Sequence, residues 1–296
     1  MNSDLLPTDA AGRLGGLIAG LKRLTAAVRF NLRRLTRTRA PLAGYTDGRH
    51  EIAFVDPLSD QDLSSLNSLL QWNAFTVDRH GRRFGGAAWA GKRDRPQEVP
   101  DRRIRLLNDR FALADKHVLE FGCFEGIHTV GLCQFAHRVT AVDARIENVT
   151  KTIVRAAFYG YHPTVFQHDV EDGSARIDVL QADILHHVGV LYHLEDPVRH
   201  LLAIGRYIRL GVMLDTHYAL PAEAGSSYVV NDRKYSYKRF QERGPADVFS
   251  GVHSHSKWLP LPVISDLLKE AGFGRVDVVE TRPERNGPRV LLFASR

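Results

Sequence analysis

Val118-Leu119-Glu120-Phe121-Gly122-Cys123-Phe124-Glu125-Gly126, followed roughly twenty residues on by Val139-Thr140-Ala141-Val142-Asp143, is the stretch that decides the fold. It reads as an apolar strand, a glycine-containing turn, a helix, a second apolar strand and a terminal acid. Doubly wound α/β domains build nucleoside pockets in this way. Glycines let the backbone approach the ligand, and the acid ending the next strand receives the ribose hydroxyls.

Outward from this stretch the chain alternates strand and helix. Strands are expected at His117–Phe121, Arg138–Val142, Thr164–His168, Asp183–Val188, Leu210–Asp215, Arg275–Glu280 and Arg289–Ala294. Helices are expected at Asp101–Ala114, Ile127–Phe135, Ile146–Tyr159, Glu171–Leu180, Pro197–Arg206 and Leu261–Ala271, with Asp101 as a cap for the first. Strands separated by helices imply crossover units and a mostly parallel sheet of seven strands. Only a short turn, Thr281 to Pro288, divides the last two strands, so they should pair antiparallel.

Upstream, Asp62 to Trp72 has helical spacing, and Thr76 to Arg95 reads as a loop or a short hairpin with Trp89, Lys92 and Arg93 near its end. Residues 41–100 are therefore read as a linker and cap, and 101–296 as the main domain. Between Thr216 and Trp258 apolar periodicity fades, although aromatic and cationic residues abound. So long a stretch inside a compact domain suggests a lid, at about 217–258, or a structural hairpin.

Charge is concentrated at one end. Of 296 residues carrying a net charge of +6, the first forty hold eight basic side chains against Asp4 and Asp9, so the remainder is neutral overall. Leu14, Leu17, Ile18, Leu21, Leu24, Val28, Leu32 and Leu35 recur at three- and four-residue steps there, which predicts a basic amphipathic helix over 1–40. Such a helix packs on a protein surface, lies on anionic lipid or contacts RNA. Two cysteines supply no disulfide framework, no apolar run spans a bilayer, and the opening residues lack a secretory apolar core. A cytoplasmic protein is expected, with peripheral membrane contact through the helix as a further expectation.

The pattern resembles class I S-adenosylmethionine (SAM)-dependent methyltransferases. Their first strand ends in Glu/Asp-x-Gly-x-Gly-x-Gly. Here Phe124 replaces the middle glycine. Asp143 matches the family's ribose-binding acid, Asp169 the residue that meets the adenine amino group, and Asp183–Leu194 the fourth-strand motif. The resemblance implies a Rossmann-like fold and SAM as cofactor, with contacts at Glu120, Gly122, Cys123, Gly126, Asp143, Asp169, Val170, Val188 and Arg289. Gly189-Val190-Leu191-Tyr192-His193 and Gly126-Ile127-His128 are most similar to the branch holding the tRNA wobble-uridine carboxymethyltransferase. In that branch the cofactor is carboxy-S-adenosylmethionine, whose carboxylate meets cationic and phenolic groups. Tyr192, Arg289 and one of Arg82 or Arg83 are the matching positions.

His193 and Tyr192 follow the fourth strand at the edge where open α/β sheets bind ligands, so they are the candidate catalytic pair. A histidine there can take a proton from a hydroxyl acceptor, or it can be structural. His186 and His187 lie within the strand, one of them facing the sheet surface. His253 and His255 share a strand face, but no ligand set with zinc spacing accompanies them and no metal is expected. The reading is methyl transfer to oxygen of a small-molecule or saccharide acceptor. The alternatives are carboxymethyl transfer to a tRNA wobble uridine, with tRNA as partner, and a non-catalytic subunit that keeps the fold, which Phe124 would suit.

Overall fold

The computed structural model describes residues 49–50, 55–86, 95–172 and 177–296. The helix expected over 1–40, and Trp89, Lys92 and Arg93, lie outside them. All described residues belong to one compact unit.

Its centre is a seven-stranded sheet. The strands are β4 (His117–Phe121), β5 (Arg138–Asp143), β6 (Thr164–Gln167), β7 (Ala182–Val188), β8 (Ile208–His217), β12 (Arg275–Glu284) and β13 (Gly287–Ser295), in the order β12-β13-β8-β7-β4-β5-β6. β4 to β8 pair in parallel, and β13 runs antiparallel to both β8 and β12. Parallel strands must bury both faces, and the sequence supplies near-continuous apolar runs for them. Leu119, Phe121, Leu185 and Leu214 face α6 (Pro197–Ile204) and α7 (Leu261–Glu270). Val118, Ile184, Met213 and Leu291 face α2 (Arg102–Phe111) and α3 (Ile127–Cys133). α4 (Ile146–Phe158) and the short α5 (Ile177–Leu180) complete the crossovers.

Most boundaries agree with the sequence pattern within a residue or two. β8 and β12 run longer than expected because their ends stay paired to β13 through Arg289↔His217 and Glu284↔Gly287. Asp101 caps α2, its Oδ1 accepting the Arg103 N–H at 2.8 Å. Described helix in the Glu171–Leu180 stretch is confined to α5.

The upstream residues are packed rather than peripheral. α1 (Asp60–Leu69), capped by Ser59, precedes β2 (Phe75–Asp78) and β3 (Arg83–Gly85), which form the hairpin; β1 (Arg49–His50) pairs in parallel with β2. Val55, in the stretch read as linker, is fully buried, and it joins Trp72, Phe84, Ile127 and Ala156 in one core. Glu125, inside the glycine turn, seals this junction. Its carboxylate accepts from the N–H and side-chain amide of Asn73, from Ala74 N–H and from Lys151 Nζ, at 2.8–3.0 Å. Arg155 donates to the carbonyls of Glu125, Phe84 and Ala74, with its guanidinium 4.7 Å from both the Trp72 and Phe84 rings.

The 217–258 insertion is regular. β9 (Ser226–Val230), β10 (Arg233–Gln241) and β11 (His255–Trp258) form an antiparallel sheet in the order β11-β10-β9. Among the described residues no helix is long and apolar enough to cross a membrane.

Glu125→Ala should destabilise the protein by about 3–5 kcal/mol, since it leaves the buried Lys151 and Arg155 without their carboxylate. Urea denaturation reads the loss, and a change below about 1 kcal/mol would show that the junction does not rest on Glu125.

Candidate functional site

β4 lies between β5 and β7, so the crossovers diverge on either side of it. Ligands of open α/β sheets bind in the crevice this leaves at the carboxyl edge. A cavity of about 580 Å³ occupies that position.

The turn after β4 forms its floor. Gly122 (φ 69°), Phe124 (φ 51°) and Gly126 (φ 78°) all adopt left-handed conformations. A side chain at Gly122 would put its Cβ 2.4 Å from Val190 Cγ2. Gly122 and Cys123 donate their N–H groups to the Val142 carbonyl, and Phe124 N–H donates to Asp143 Oδ2 at 3.0 Å. Phe124 therefore preserves the glycine conformation, and its ring lies 5.5 Å from Phe249 of the insertion. Cys123 is buried, its sulfur 3.3 Å from the Thr152 hydroxyl, and burial pushes its thiol up.

Asp143 ends β5. Its Oδ1 accepts from Arg145 N–H and Asn148 Nδ2, and burial raises its pKa despite these bonds and that from Phe124. Asn148 Oδ1 is buried with no partner. After β6, Asp169 Oδ1 accepts the Glu171 N–H at 3.0 Å. Burial and the Asp143 charge push Glu120 up to about 8, against a 2.5 Å hydrogen bond from Thr129. Glu120, Gly122, Cys123, Asp143, Asp169, Val170, Val188 and Arg289 all line the cavity, as do Tyr192 and His193. Gly126 does not. Its Cβ would fall 2.8 Å from Thr152 Cα, so this glycine serves the packing of the turn on α4.

On the opposite wall His193 Nδ1 lies 2.9 Å from Glu242 Oε1, leaving Nε2 as the ring nitrogen available to a ligand. Glu242 also accepts from the Ser250 and Ser256 hydroxyls and the Gly251 N–H. Burial alone would raise its pKa, but His193, Ser250 and Gly251 hold it at about 2. Tyr192 is half-buried, and the desolvation of its phenol raises its pKa, with Arg289 over its ring at 5.3 Å. Tyr192 Oη and Arg289 Nη2 each lie 3.8 Å from where a Cβ on Gly189 would sit. Arg289 is ion-paired through Nε to Asp215, which also meets Arg282 at 2.9 Å and Arg103 at 3.5 Å. Burial would raise the Asp215 pKa, and these three guanidiniums reverse that.

Several expectations need correction. Arg82 donates to Asp78 and to the carbonyls of Val55, Asp56 and Leu58, and Arg83 stacks on Phe75; neither lines the cavity. Neither His186 nor His187 faces the sheet's outer surface: both are buried, and His187 pairs with His200 at 2.8 Å. Trp258 is stacked between His217 and Phe240 with 1% exposure, and the loop through Val248–Val252 is what reaches the cavity. His253 and His255 face Glu171 and Glu195.

Residues the sequence did not single out include Glu242, Arg145, Arg103, Asp215 and Arg282. No spacing links Glu242 to His193 along the chain, because tertiary folding alone joins them. Glu120, His128 and His186 carry potential metal-ligand atoms within 4.8 Å of one another; both His186 nitrogens lack hydrogen-bond partners, and Nδ1 lies 3.6 Å from Glu120 Oε1. The Arg103 guanidinium 3.1 Å from His128 Nε2 opposes a second cation there.

This geometry has counterparts. The N-terminal domain of EvdMO1, solved in the presence of SAH and D-fucose, superposes with a TM-score of 0.65 at 21% identity, over 80% of this chain and 97% of that one. The full EvdMO1 structure gives 0.57 at 19% identity, over 83% of this chain and 49% of that one. The chain has the class I methyltransferase fold. Among curated proteins, the tRNA U34 carboxymethyltransferase of Methylococcus capsulatus (strain ATCC 33009 / NCIMB 11132 / Bath) is 26% identical over 225 residues, which is 74% of this chain. The chain spans 61% of that relative's length. No family model matches.

Glu120 gives a test of the floor. Its folded pKa lies above the ordinary value near 4.5, so the folded protein retains a proton that the unfolded chain releases. The stability it contributes is complete below about pH 4.5 and is lost as pH rises through about 8. Relative to Glu120→Gln, the wild type should lose up to about 1.4 kcal/mol per pH unit across that window. Denaturation of both proteins near pH 5 and near pH 8 measures the difference, and parallel pH profiles would refute it.

Proposed function

We propose that this protein is a SAM-dependent O-methyltransferase acting on a saccharide or other polyhydroxyl small molecule. The observation that carries the reading is one cavity whose floor has a nucleoside-binding character and whose wall presents His193 Nε2. The donor set fits the cofactor. Asp143 offers carboxylate acceptance beside the orphaned Asn148 Oδ1, suited to ribose hydroxyls. Asp169 and Val170 flank the side that would take the adenine. Glu120, able to ionise when a cation arrives, suits the amino group of the methionine tail. The glycine at 122 keeps the floor clear of a side chain.

When bound, SAM supplies an electrophilic methyl group that leaves its sulfur as the carbon–oxygen bond forms. His193 Nε2 accepts the hydroxyl proton as the oxygen attacks. Tyr192, held protonated by burial, acts as a wall and hydrogen-bond donor. The protein's main contribution is alignment, with the floor fixing the donor and the rim fixing the acceptor. The D-fucose present with the EvdMO1 domain supports a sugar acceptor. Phe124, which would have suited a non-catalytic subunit, leaves the turn in its glycine conformation.

A second reading, carboxymethyl transfer to tRNA, is favoured by one feature. Tyr192 Oη and Arg289 Nη2 converge on the space over Gly189, as a cofactor carboxylate would require. The curated relative bears that activity in its name.

Asp143→Ala should weaken SAH binding about 10- to 100-fold in calorimetry, the scale of lost hydrogen bonds to a charged group; unchanged affinity would remove the floor from the cofactor site. Methyl-labelled SAM incubated with D-fucose and other monosaccharides should pass its label to a sugar. Mass spectrometry of the ligand that co-purifies should show plain SAM or SAH, whereas a carboxylated cofactor whose carboxymethyl group passes only to tRNA would establish the second reading.

A further inference from the structure

We propose that Glu242, carried by the insertion, is the positioning residue that makes His193 a base. The inference rests on the reading of His193 above and adds the partner that reading lacks. Among the described residues, Glu242 is the one ionic partner of His193. Its buried carboxylate meets Nδ1 at 2.9 Å. Since an ionised carboxylate can only accept, Nδ1 must carry the proton and Nε2 must hold the lone pair. That is the tautomer a base facing the cavity requires. The same carboxylate stabilises the imidazolium formed when Nε2 takes the acceptor's proton, and the proton leaves His193 to solvent when product departs.

The carboxylate is itself locked. Ser250 and Ser256 donate hydroxyls at 2.6 and 2.8 Å, and Gly251 donates its N–H at 2.8 Å. These donors come from the loop after β10 and from β11, so Glu242 gathers the insertion around one point. The insertion also grips the catalytic segment directly. Lys257 N–H donates to Leu194 O at 3.0 Å, and Trp258 Nε1 donates to Tyr192 O at 2.9 Å. Gly251 lies so close that a Cβ there would sit 2.7 Å from His193 O. From the floor side, Arg145 donates to the carbonyls of Gly244, Asp247 and Ser250. The insertion is therefore fastened to the residue two positions after Asp143 and to the base at once. Acceptor deprotonation depends on its docking, and a displaced insertion leaves His193 with neither orientation nor counter-charge.

The test is histidine ¹⁵N NMR on the full-length protein with SAH, with His193→Gln used to assign the signal. The wild type should show Nδ1–H and an unprotonated Nε2. Glu242→Gln keeps the shape but offers an amide in place of the charge, so the tautomer should become mixed. In the labelled-SAM assay, Glu242→Gln should lose about 100-fold in kcat with the acid limb of the pH profile moved down, while SAH affinity stays within about threefold. Glu242→Asp should recover at least tenfold of that loss. An unchanged tautomer in Glu242→Gln would overturn the proposal, as would lost activity with an unmoved acid limb. If the wild type methylates no acceptor, the O-methyltransferase reading fails, while the NMR result still decides whether Glu242 sets the state of His193.

Discussion

One buried carboxylate, Glu125, sits where the upstream cap, the glycine turn and α4 meet. An isolated ionised carboxylate with no exposure would be costly; here it accepts from Asn73, Ala74 and Lys151. Arg155 passes alongside, lowered in pKa by burial yet surrounded by three carbonyls and two aromatic faces. The two buried cations exceed the one anion, and backbone oxygens and ring faces make up the difference. Because Glu125 lies between Phe124 and Gly126, whatever holds its carboxylate also holds the turn. The cavity floor is thus anchored from behind by residues that precede the sheet.

From that turn the constraint passes forward to the insertion. Phe124 occupies a left-handed conformation that costs a non-glycine residue on the order of 1–3 kcal/mol. Its N–H bond to Asp143 and its ring contact with Phe249 offset part of this, aromatic pairs contributing about 0.5–1.5 kcal/mol. A glycine would relax the strain and lose the contact with the insertion. The departure from the glycine pattern at this position therefore joins floor and insertion, which explains how a bulky residue is tolerated without distorting the turn.

The sheet was legible because its strands are short apolar runs punctuated by turn residues, and burial on both faces demands such runs. The termini of β8 and β12 were not, since cross-strand pairing with β13 sets them rather than local composition. The floor of the site was legible for a related reason: Glu120, Gly122, Asp143 and Asp169 occupy strand ends whose spacing follows the crossover lengths. The wall was only half legible. His193 follows β7 in sequence, but Glu242 lies 49 residues further on, in a segment with little apolar periodicity. The Glu125 junction left no signal either, because Asn73 and Ala74 contribute backbone groups that any residue carries.

The rim bears on which acceptor the cavity suits. Arg102, Arg103, Arg282 and Arg289 stand there with Asp101, Glu280 and Glu284, and Asp215 lies buried behind them, so that each guanidinium is within 4.0 Å of a carboxylate. A tRNA backbone or a cofactor carboxylate calls for uncompensated positive charge, as counter-ion release and charge pairing demand. This rim is balanced, and Arg289, the cation best placed for a carboxylate, already has its Nε on Asp215. Paired guanidiniums and carboxylates still present donors and acceptors side by side. A polyhydroxyl ligand uses both without needing net charge, since each hydroxyl donates once and accepts twice. The charge balance therefore weighs toward a neutral sugar over an anionic partner. The Tyr192–Arg289 cradle remains the one local feature on the other side, and its strength depends on how far Asp215 neutralises Arg289.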